Sequence, residues 1–344
     1  MNRLCYISRN YRSSGNKAKI DIEDLLQDMG ATNLGLKRSH YNSKVITFLL
    51  DLAGVVRCCL QLKKGDVLFL QYPVKKYFSF LCRAAHLHQA KAVALIHDLG
   101  SFRRKKLTVQ GEIERLSHAD YVIASNQVMQ QWLIEQGLQR PTGALELFDY
   151  LTPTVHGTHT PYRQGHARVV YAGALAKRKN SFILQLMSTD MNYELHIYGK
   201  KEGLPGLHET DSIKLRGFAP AEEFVAKVDA DFGLVWDGDS VDSCTGNFGE
   251  YLRYNSPHKA SFYLRAGLPV IVWSQSALAT VVDREGIGFS ISSMHELNAR
   301  LSSLSPSLYE NMVHHVERIQ ARLRDGSFLR QSILAMQQSL DVRF

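Results

Sequence analysis

The sequence predicts an α/β protein built from two doubly wound domains, each with a parallel sheet. Short apolar β-runs alternate with helical patterns along the whole chain of 344 residues, and this alternation is typical of parallel strands covered by helices on both faces. The alternation is interrupted at residues 151–166, a stretch rich in Thr, Pro, Gly and His that predicts a linker. The length is sufficient for two such domains.

The individual elements follow from hydrophobic periodicity and from the turn residues between them. The predicted strands are Leu4–Ser8, Val67–Gln71, Ala92–His97, Tyr121–Ala124, Ala144–Phe148, Arg168–Tyr171, Glu194–Tyr198, Ile213–Leu215, Phe232–Trp236, Val270–Trp273 and Gly288–Ile291. The predicted helices are Ile20–Met29, Ser43–Leu62, Tyr77–His88, Val109–His118, Gln127–Gln136, Ser181–Met187, Ala221–Val228, Lys259–Arg265, Leu278–Asp283, Met294–Ser302, Pro306–Arg324 and Leu329–Ser339. We therefore expect a first domain over residues 1–155, a second over 156–325, and a helical tail over 326–344.

The composition narrows the class of partner. A net charge of +8 and a pI near 9.1 indicate either a surface that binds an anion or a solvated basic surface with no single partner. Nucleic acid is disfavoured because the basic residues are not interleaved with aromatic ones as in a recognised binding module. An anionic membrane surface and a nucleotide-linked sugar both remain compatible with the charge.

Three features predict a cytoplasmic protein. The five cysteines, Cys5, Cys58, Cys59, Cys82 and Cys244, have no metal-ligand spacing and suggest reduced thiols. The first residues lack the apolar core of a signal peptide, and no apolar run reaches the ~18 residues needed to span a bilayer. The sequence leaves open a peripheral contact with the inner face of the cell membrane.

The segment Gly249–Trp273 carries the clearest functional signal. It places Tyr254, Asn255, His258 and Lys259 at the start of a predicted helix. Free N–H groups at a helix N-terminus, the helix dipole and a Lys all favour the same bound anion, so this segment predicts a diphosphate site. Tyr254 and Asn255 precede a Pro and are expected to lie outside the helix. His258 can alternatively be a satisfied core histidine.

Other predicted strands of the second half end in residues suited to a nucleotide. Gly173 follows the first strand and allows close backbone approach, and the cations that come next, Lys177 and Lys179 among them, form a candidate diphosphate clamp or an exposed basic turn. Glycines and aromatic residues follow the next two strands, where they can hold a planar base: Tyr198, Gly199, Gly217 and Phe218.

Asp237 closes a further strand, where it can contact the sugar or only form a turn. Asp237 and Asp239 are metal ligands by type, but their spacing in a Gly-containing turn fits a β-turn at least as well. We therefore predict a site without a metal and a reaction without a cofactor.

The first half offers candidates for binding an acceptor. Asp98 follows His97 at the end of a predicted strand, where a carboxylate can act as general base or can cap the next loop. The basic run 103–106 beginning at Arg103 can attract an anionic lipid or a lipid-linked phosphate, or can be solvated.

The polar loop 9–17 precedes a helix and can offer backbone N–H groups to a phosphate or a sugar. Its candidate residues are Ser14, Gly15 and Lys17. Neither the dinucleotide-binding G-x-G-x-x-G in this loop nor a P-loop anywhere in the sequence is present, which disfavours a nicotinamide dehydrogenase.

Several stretches together resemble one bacterial family. YISRNY, FLQYP, LIHDLGSFRRKKLT, HADYVIASN, LFDYL and YNSPHKASFYLRAGLPVIVW occur in the order found in the β-1,6-galactofuranosyltransferases of polysaccharide gene clusters and in related glucosyltransferases. The resemblance covers nearly the whole chain. It implies a GT-B fold, with two Rossmann-like domains facing a cleft and a last helix that crosses back onto the first domain.

The resemblance also implies a function for individual residues. Gly173, Lys177, Tyr254, Asn255 and Lys259 would line the diphosphate site of a UDP-sugar in the second domain, and an acceptor would bind the first. Catalysis would need no metal. The E-x7-E pair that many GT-B enzymes carry on this helix is absent here, so the usual ribose-binding Glu cannot be assigned.

The sequence therefore predicts an inverting hexosyltransferase that uses a UDP-sugar, with UDP-galactofuranose favoured, and a glycan or lipid-linked glycan acceptor. Asp98 is the candidate base, and Lys177 and Lys259 are the candidates for stabilising the leaving UDP. The alternative is a non-catalytic UDP- or glycan-binding subunit that partners an active transferase. Whether the chain self-associates is left open.

Overall fold

The computed structural model describes residues 2–11, 14–74, 77–103, 107–155, 157 and 161–344, with the backbone alone for Ser14 and Arg103. The chain forms two compact units. The first comprises residues 1–149 and 326–344, and the second comprises residues 150–325. The chain therefore changes unit at Asp149–Tyr150, before the predicted boundary at residue 155.

The first unit contains six strands and seven helices within the described residues. Its strands are β1 (Leu4–Tyr6), β2 (Thr32–Asn33), β3 (Val67–Tyr72), β4 (Lys91–Ile96), β5 (Tyr121–Ala124) and β6 (Thr142–Ala144). Its helices are α1 (Lys17–Asp28), α2 (Lys44–Gln61), α3 (Phe78–Leu87), α4 (Gly100–Arg103), α5 (Val109–Leu116), α6 (Gln127–Glu135) and, from the end of the chain, α14 (Ser327–Leu340). A short 3-10 helix at 14–16 precedes α1.

The six strands form one parallel sheet in the order β2-β1-β3-β4-β5-β6. Strands β3, β4 and β5 are almost entirely buried, which explains why they are continuous apolar runs rather than alternating ones. Because all strands run in the same direction, their carboxyl ends share one edge of the sheet.

The tail helix α14 packs on the sheet of the first unit, against β5 and β6, as predicted. The Asp149 carboxylate accepts hydrogen bonds from the backbone N–H groups of Phe328 (3.2 Å) and Leu329 (2.8 Å) and so caps the helix start. At the other end, Lys91 Nζ donates to the Leu340 carbonyl at 2.5 Å. These contacts fix both ends of the tail.

The second unit repeats the architecture. Its strands are β7 (Arg168–Ala172), β8 (Glu194–Tyr198), β9 (Ile213–Gly217), β10 (Phe232–Val235), β11 (Val270–Trp273) and β12 (Gly288–Ile291). Its helices are α7 (Lys177–Leu186), α8 (Ala221–Lys227), α9 (Gly246–Gly249), α10 (His258–Arg265), α11 (Ala277–Glu285), α12 (Met294–Ser303) and α13 (Pro306–Arg324), with short 3-10 turns at 201–203 and 250–253. The sheet is parallel, in the order β12-β11-β10-β7-β8-β9.

The start of the predicted linker belongs to the second unit. The Arg265 guanidinium donates to the carbonyl oxygens of Thr152 (3.0 Å) and Thr154 (3.2 Å), and both threonine hydroxyls contact the Glu222 carboxylate. Residues 156 and 158–160 of that stretch lie outside the described residues. The described part before them is held by side chains rather than left as a tether.

Strand β2 is not among the predicted strands, α1 begins three residues before the predicted Ile20, and two further elements differ in ways that matter for the site. The strand predicted at Ala144–Phe148 is misplaced, because β6 covers Thr142–Ala144. Glu146 has a φ of 75°, so the backbone is no longer extended there. Helix α7 begins at Lys177 rather than at the predicted Ser181, so the cations of the predicted clamp or basic turn lie in its first turn.

The five cysteines are free thiols. Among the helices of the described residues, none combines the length and the apolar character needed to cross a bilayer.

Candidate functional site

The carboxyl edge of the second sheet brings the predicted donor residues together. Strands β7 to β11 are parallel neighbours, and open α/β sheets bind ligands at this edge. The predicted donor residues that end or follow these strands, or lie before or in the first turn of the next helices, are Gly173, Lys177, Lys179, Tyr198, Gly199, Gly217, Phe218, Asp237, Tyr254, Asn255, His258 and Lys259.

Lys259, in the first turn of α10, lies at the centre of this edge. Its Nζ is 3.6 Å from Asp237 Oδ1 and 3.6 Å from the centroid of the Tyr171 ring. The atom is buried, and no hydrogen-bond partner for it exists among the described residues. A Cβ added to Gly173 would lie 3.8 Å from Lys259 Cε, so the glycine after β7 and this Lys are neighbours.

Asp237 pairs with two lysines, and its contact with the sugar stays a prediction. Its second carboxylate oxygen lies 3.5 Å from Lys179 Nζ, and Tyr171 OH donates to its first oxygen at 2.9 Å. Asn180 donates in turn to the Tyr171 hydroxyl. The carboxylate is largely buried and holds Lys179 and Lys259 within one cluster.

Lys177 occupies a different environment from Lys179. It is exposed at the first position of α7, whereas Lys179, two residues later, is half-buried against Asp237. The cluster formed by Lys179, Asp237 and Lys259 is therefore the buried part of the predicted clamp. Lys177 is exposed outside this cluster, and its contact with a diphosphate stays a prediction.

The ammonium of Lys259 is electrostatically strained. Its pKa is lowered from 10.5 to about 7, chiefly by burial and also by the nearby Lys179, while Asp237 opposes the shift. A group in this state gains stability from any additional negative charge that approaches it. This is the electrostatic property expected of a side chain that binds an anion.

Two helices begin at this edge, and no N-cap side chain accepts a hydrogen bond from their first backbone N–H groups. Helices α7 and α10 have neither a side-chain N-cap nor an acidic residue in the first turn. The dipoles of both helices therefore add positive potential near Gly173 and Lys259. Together with the two lysines, they make this edge suited to a diphosphate.

The three predicted glycines form a backbone ladder across the strand ends. Gly173 N–H donates to the Tyr198 carbonyl at 2.9 Å, and Gly199 N–H donates to the Gly217 carbonyl at 2.8 Å. A Cβ on Gly199 would lie 2.5 Å from the Gly173 oxygen, so Gly199 is required by packing within the protein. Gly217 has a φ of 69° and open space where a Cβ would point.

The aromatic candidates occupy different positions. Tyr198 is half-buried, with its ring edge-on to Phe224 at 5.0 Å, and burial raises the pKa of its hydroxyl. Phe218 is exposed after β9, with Lys200 Nζ 5.9 Å from its ring centroid. Phe218 is the ring of the two that is accessible to a planar base.

The residues before α10 adopt the predicted non-helical conformation. Tyr254 ends a 3-10 turn, and Asn255 lies in the irregular link to Pro257. Asn255 Oδ1 is buried, with no hydrogen-bond donor for it among the described residues. His258 stacks on Tyr150 at 4.9 Å with an interplanar angle of 23°, which places the imidazole in an aromatic cluster of the second unit.

The first unit places two predicted residues at the carboxyl end of β4. His97 follows the strand, accepts or donates a hydrogen bond with Gln71 at 2.8 Å, and stacks on Phe148 at 4.9 Å. Asp98 comes next and is half-buried. The strand end thus presents a carboxylate at the edge where α/β folds bind ligands.

Glu112, which the sequence reading did not single out, holds the loop that follows Asp98. Its buried carboxylate accepts hydrogen bonds from Tyr72 OH (2.7 Å), Gly100 N–H (2.8 Å) and Ser101 N–H (2.7 Å). The N–H groups are those at the start of α4, so the carboxylate caps this short helix. No sequence spacing reveals the contact, because Glu112 lies in the first turn of another helix, α5.

The loop after β1 is organised by a second buried carboxylate. Glu23 of α1 accepts hydrogen bonds from Ser8 Oγ at 2.5 Å, from Tyr11 OH and from Arg38 Nε at 3.1 Å. Burial raises its pKa, which these partners oppose. The loop is therefore fixed at its beginning by side chains within the first unit.

Of the predicted acceptor residues in this loop, Gly15 lies in the 3-10 turn and Lys17 begins α1, paired with Asp21. Ser14 has only its backbone described, in the same turn. Arg103 ends α4 with its side chain undescribed, and residues 104–106 of the basic run lie outside the described residues.

Family models match both units of the chain. The N-terminal domain model of the glucosyltransferase 3-like proteins matches residues 4–147, and the C-terminal domain model matches residues 169–336. The β-1,6-galactofuranosyltransferase WbbI of Escherichia coli (strain K12) is 30% identical over 326 residues, which are 93% of each chain. Glucosyltransferase 3 of Streptococcus gordonii is 24% identical over 277 residues, 78% of each chain.

Solved structures agree on the fold. The apo lipopolysaccharide outer core galactosyltransferase WaaB superposes with a TM-score of 0.62 at 14% identity, covering 97% of this chain and 99% of its own. Two Rossmann-like parallel-sheet units and this likeness identify the GT-B fold. The chain therefore belongs to the glucosyltransferase 3-like family and is a glycosyltransferase.

Proposed function

We propose that this chain transfers a hexose, with galactofuranose favoured, from a UDP-sugar to a hydroxyl of a glycan acceptor. The observation that carries the proposal is the buried cluster of Lys259, Asp237 and Lys179 beside Gly173. A diphosphate at this edge would supply the negative charge that the strained Lys259 ammonium lacks. The 30% identity to a β-1,6-galactofuranosyltransferase favours galactofuranose, and the match to a glucosyltransferase makes glucose the alternative.

The lysine cluster supports a role in the chemical step as well as in binding. As the bond between the anomeric carbon and the diphosphate oxygen breaks, the electron pair leaves with UDP and negative charge builds on that oxygen. An ammonium held in a buried site stabilises this charge more strongly than the same group in water. Lys259 is our first candidate for this role, followed by Lys179 and the exposed Lys177.

Asp98 is our candidate for the general base of an inverting reaction. The acceptor hydroxyl oxygen would form the new bond to the anomeric carbon on the face opposite UDP, and its proton would pass to the carboxylate. Asp98 is supported by its position at the carboxyl end of β4 and by the Glu112 cap on the loop that follows it. Asp98→Asn should abolish transfer at neutral pH while UDP binding persists. Transfer at the wild-type rate would remove Asp98 from the mechanism.

We further propose that catalysis is independent of a metal ion. The two lysines and the two helix N-termini provide positive charge at the place where a divalent cation would otherwise neutralise a diphosphate. Turnover should be unchanged after dialysis against EDTA. Loss of activity that Mg²⁺ or Mn²⁺ restores would refute this part of the proposal.

The donor is tested by binding followed by turnover. We expect thermal stabilisation of the purified chain by UDP and not by GDP or ADP, and transfer from UDP-galactofuranose faster than from UDP-galactopyranose or UDP-glucose. The anomeric configuration of the product, read by NMR, tests inversion. Stabilisation by GDP alone would overturn the nucleotide assignment, and UDP binding without turnover of any donor would favour a non-catalytic subunit.

A further inference from the structure

Helix α2 presents an unusually apolar face to solvent. Leu60 is 80% exposed, Val45 is 69% exposed and Leu49 is 56% exposed. The same helix also exposes Ile46, Phe48, Leu52 and Val56. Its opposite face is buried in the first unit through Thr47, Gly54, Val55 and Cys58. A helix that is apolar on both faces is normally covered on both, so the exposed face indicates an interaction surface.

The neighbouring helix extends this surface. Helix α3 packs against α2 and exposes Phe80 and, at 85%, Leu87. An open groove of about 500 Å³ runs along α2 between Leu49 and Gln61. Exposed apolar patches of this extent are rare on proteins that meet only water and mark a protein or membrane contact. We call the exposed side chains of α2 and α3 the apolar face.

The charge of the sequence around α2 and α3 bears on whether the partner is a protein or a membrane. Residues 30–111 contain fourteen lysines and arginines and three acidic residues, a net charge of +11, whereas the whole chain carries +8. The rest of the chain is therefore net acidic. Within α2 and α3 the one acidic residue is Asp51, which is paired with Arg9 and largely buried.

The cations of α2 and α3 and of the turn after α2 remain exposed. They are Lys44, Arg57, Lys63, Lys64 and Arg83. An apolar stripe flanked by exposed cations and without an exposed acid is the pattern of a surface that lies on anionic lipid. A second copy would instead bring two strongly cationic segments together, which like-charge repulsion opposes.

We propose that the apolar face of α2 and α3 docks on an anionic phospholipid bilayer. The apolar side chains enter the boundary between head groups and acyl chains, and the flanking cations contact the lipid phosphates. Because the opposite face of α2 is buried against the first unit, the helix lies along the membrane surface rather than across it.

Docking also places a functional loop near the lipid. Asn10, in the loop after β1, donates hydrogen bonds to the Tyr41 carbonyl (2.8 Å) and to Thr47 Oγ1 (2.9 Å) at the N-terminal end of α2. That loop is a candidate for acceptor binding, so an acceptor on a lipid carrier would be presented beside it. The proposed docking itself rests on the apolar face and the charges, not on the identity of the sugar.

The experiment is sedimentation of the purified full-length chain with vesicles. We expect binding to vesicles of equal parts phosphatidylglycerol and phosphatidylethanolamine, weaker binding at high salt, and little binding to phosphatidylcholine alone. Leu49→Asp and Leu60→Asp should each weaken binding about tenfold or more. Leu308→Asp is the matched control, since Leu308 is 53% exposed on α13 of the second unit, and it should bind as the wild type does.

Two companion measurements keep the result unambiguous. Thermal unfolding shows that each variant is folded, and transfer to an acceptor without a lipid anchor should be unchanged in Leu49→Asp, which separates docking from the glycosyltransferase proposal. Wild-type protein that ignores anionic vesicles, or binds phosphatidylcholine equally well, would overturn the proposal. So would a wild-type dimer in light scattering that Leu49→Asp converts to a monomer while vesicle binding is absent.

Discussion

The two sheets are both parallel and six-stranded, but they use charge differently at their carboxyl edges. In the first unit, the buried carboxylate of Glu112 accepts three hydrogen bonds from neighbouring donors, two of them backbone N–H groups. In the second unit, Nζ of Lys259 is buried with Asp237 at 3.6 Å and no hydrogen bond among the described residues. The first edge has a carboxylate that accepts hydrogen bonds from the protein. The second has an ammonium whose N–H donors make no hydrogen bond within the described residues.

This difference distinguishes a group that holds a loop of the protein itself from a group that is suited to binding a ligand. A carboxylate saturated by backbone N–H groups stabilises the loop it holds and has little left for a ligand. A buried ammonium with few partners costs stability until an anion arrives. The comparison therefore supports our proposal that the anionic donor binds the second unit, and it makes Glu112 part of a loop scaffold in the first.

The largest effect should come from removing the strained cation. Lys259→Met keeps the length of the side chain and removes the charge, so it should lower kcat for transfer about 100- to 1,000-fold. Fold and melting temperature should survive, because a desolvated ammonium is lost. Steady-state kinetics with saturating acceptor measure the change. Lys227→Met, at an exposed lysine of α8, is the control; comparable activity in the two variants would contradict the proposed role.

A smaller loss is expected when the counter-ion is neutralised. Asp237→Asn leaves Lys179 and Lys259 facing each other without a carboxylate, which lowers the pKa of Lys259 further. UDP-sugar affinity at neutral pH should fall about tenfold to 100-fold and should recover as the pH is lowered, because protonation restores the ammonium. Calorimetric titration measures both. Asp239→Asn, at the exposed neighbour two residues on, should bind normally.

The scaffold of the first unit is tested by a change that preserves shape. In Glu112→Gln an amide nitrogen, which cannot accept a hydrogen bond, replaces one carboxylate oxygen. One of the two N–H groups at the start of α4 loses its acceptor, which should cost about 1–3 kcal/mol of unfolding free energy. Displacement of the loop beside Asp98 should lower kcat/KM for the acceptor about tenfold while UDP affinity is unchanged. Glu114→Gln, exposed on the same helix, is the control. An equal loss of UDP affinity would show a general structural defect.

The sequence was most informative where function follows strand ends. The positions of Gly173, Lys259 and Asp98 could be predicted because apolar β-runs mark where parallel strands stop and carboxyl ends share an edge. The partners of those residues could not. For Asp237 the sequence leaves a sugar contact and a turn open, but it does not indicate that the carboxylate holds two lysines far apart in the sequence. No local pattern encodes such a meeting.

Element boundaries failed for local physical reasons. Leu145 and Phe148 are buried, so their apolar character suggested a strand, yet the positive φ of Glu146 turns the backbone after β6. The first turn of α7 was read as a loop because it lacks a capping side chain and begins with three cations. Both errors arise where tertiary contacts, rather than periodicity, fix the backbone.

The smallest effect we predict is the uptake of one proton by Lys259 when the donor binds. The pKa of Lys259 is about 7 in the free protein, and a bound diphosphate raises it, so affinity is greatest below pH 7 and falls as the pH rises above it. Between pH 7 and pH 8 the loss should be about fivefold.

Calorimetry with UDP-galactose in buffers of different ionisation enthalpy measures the uptake directly, because this diphosphate diester has no group that titrates near neutrality. We expect nearly one proton at pH 8, little at pH 6, and none in Lys259→Met at either pH. Equal uptake in wild type and in that variant would move the titrating group elsewhere. It would also remove the contrast between a satisfied carboxylate in one unit and an unsatisfied ammonium in the other.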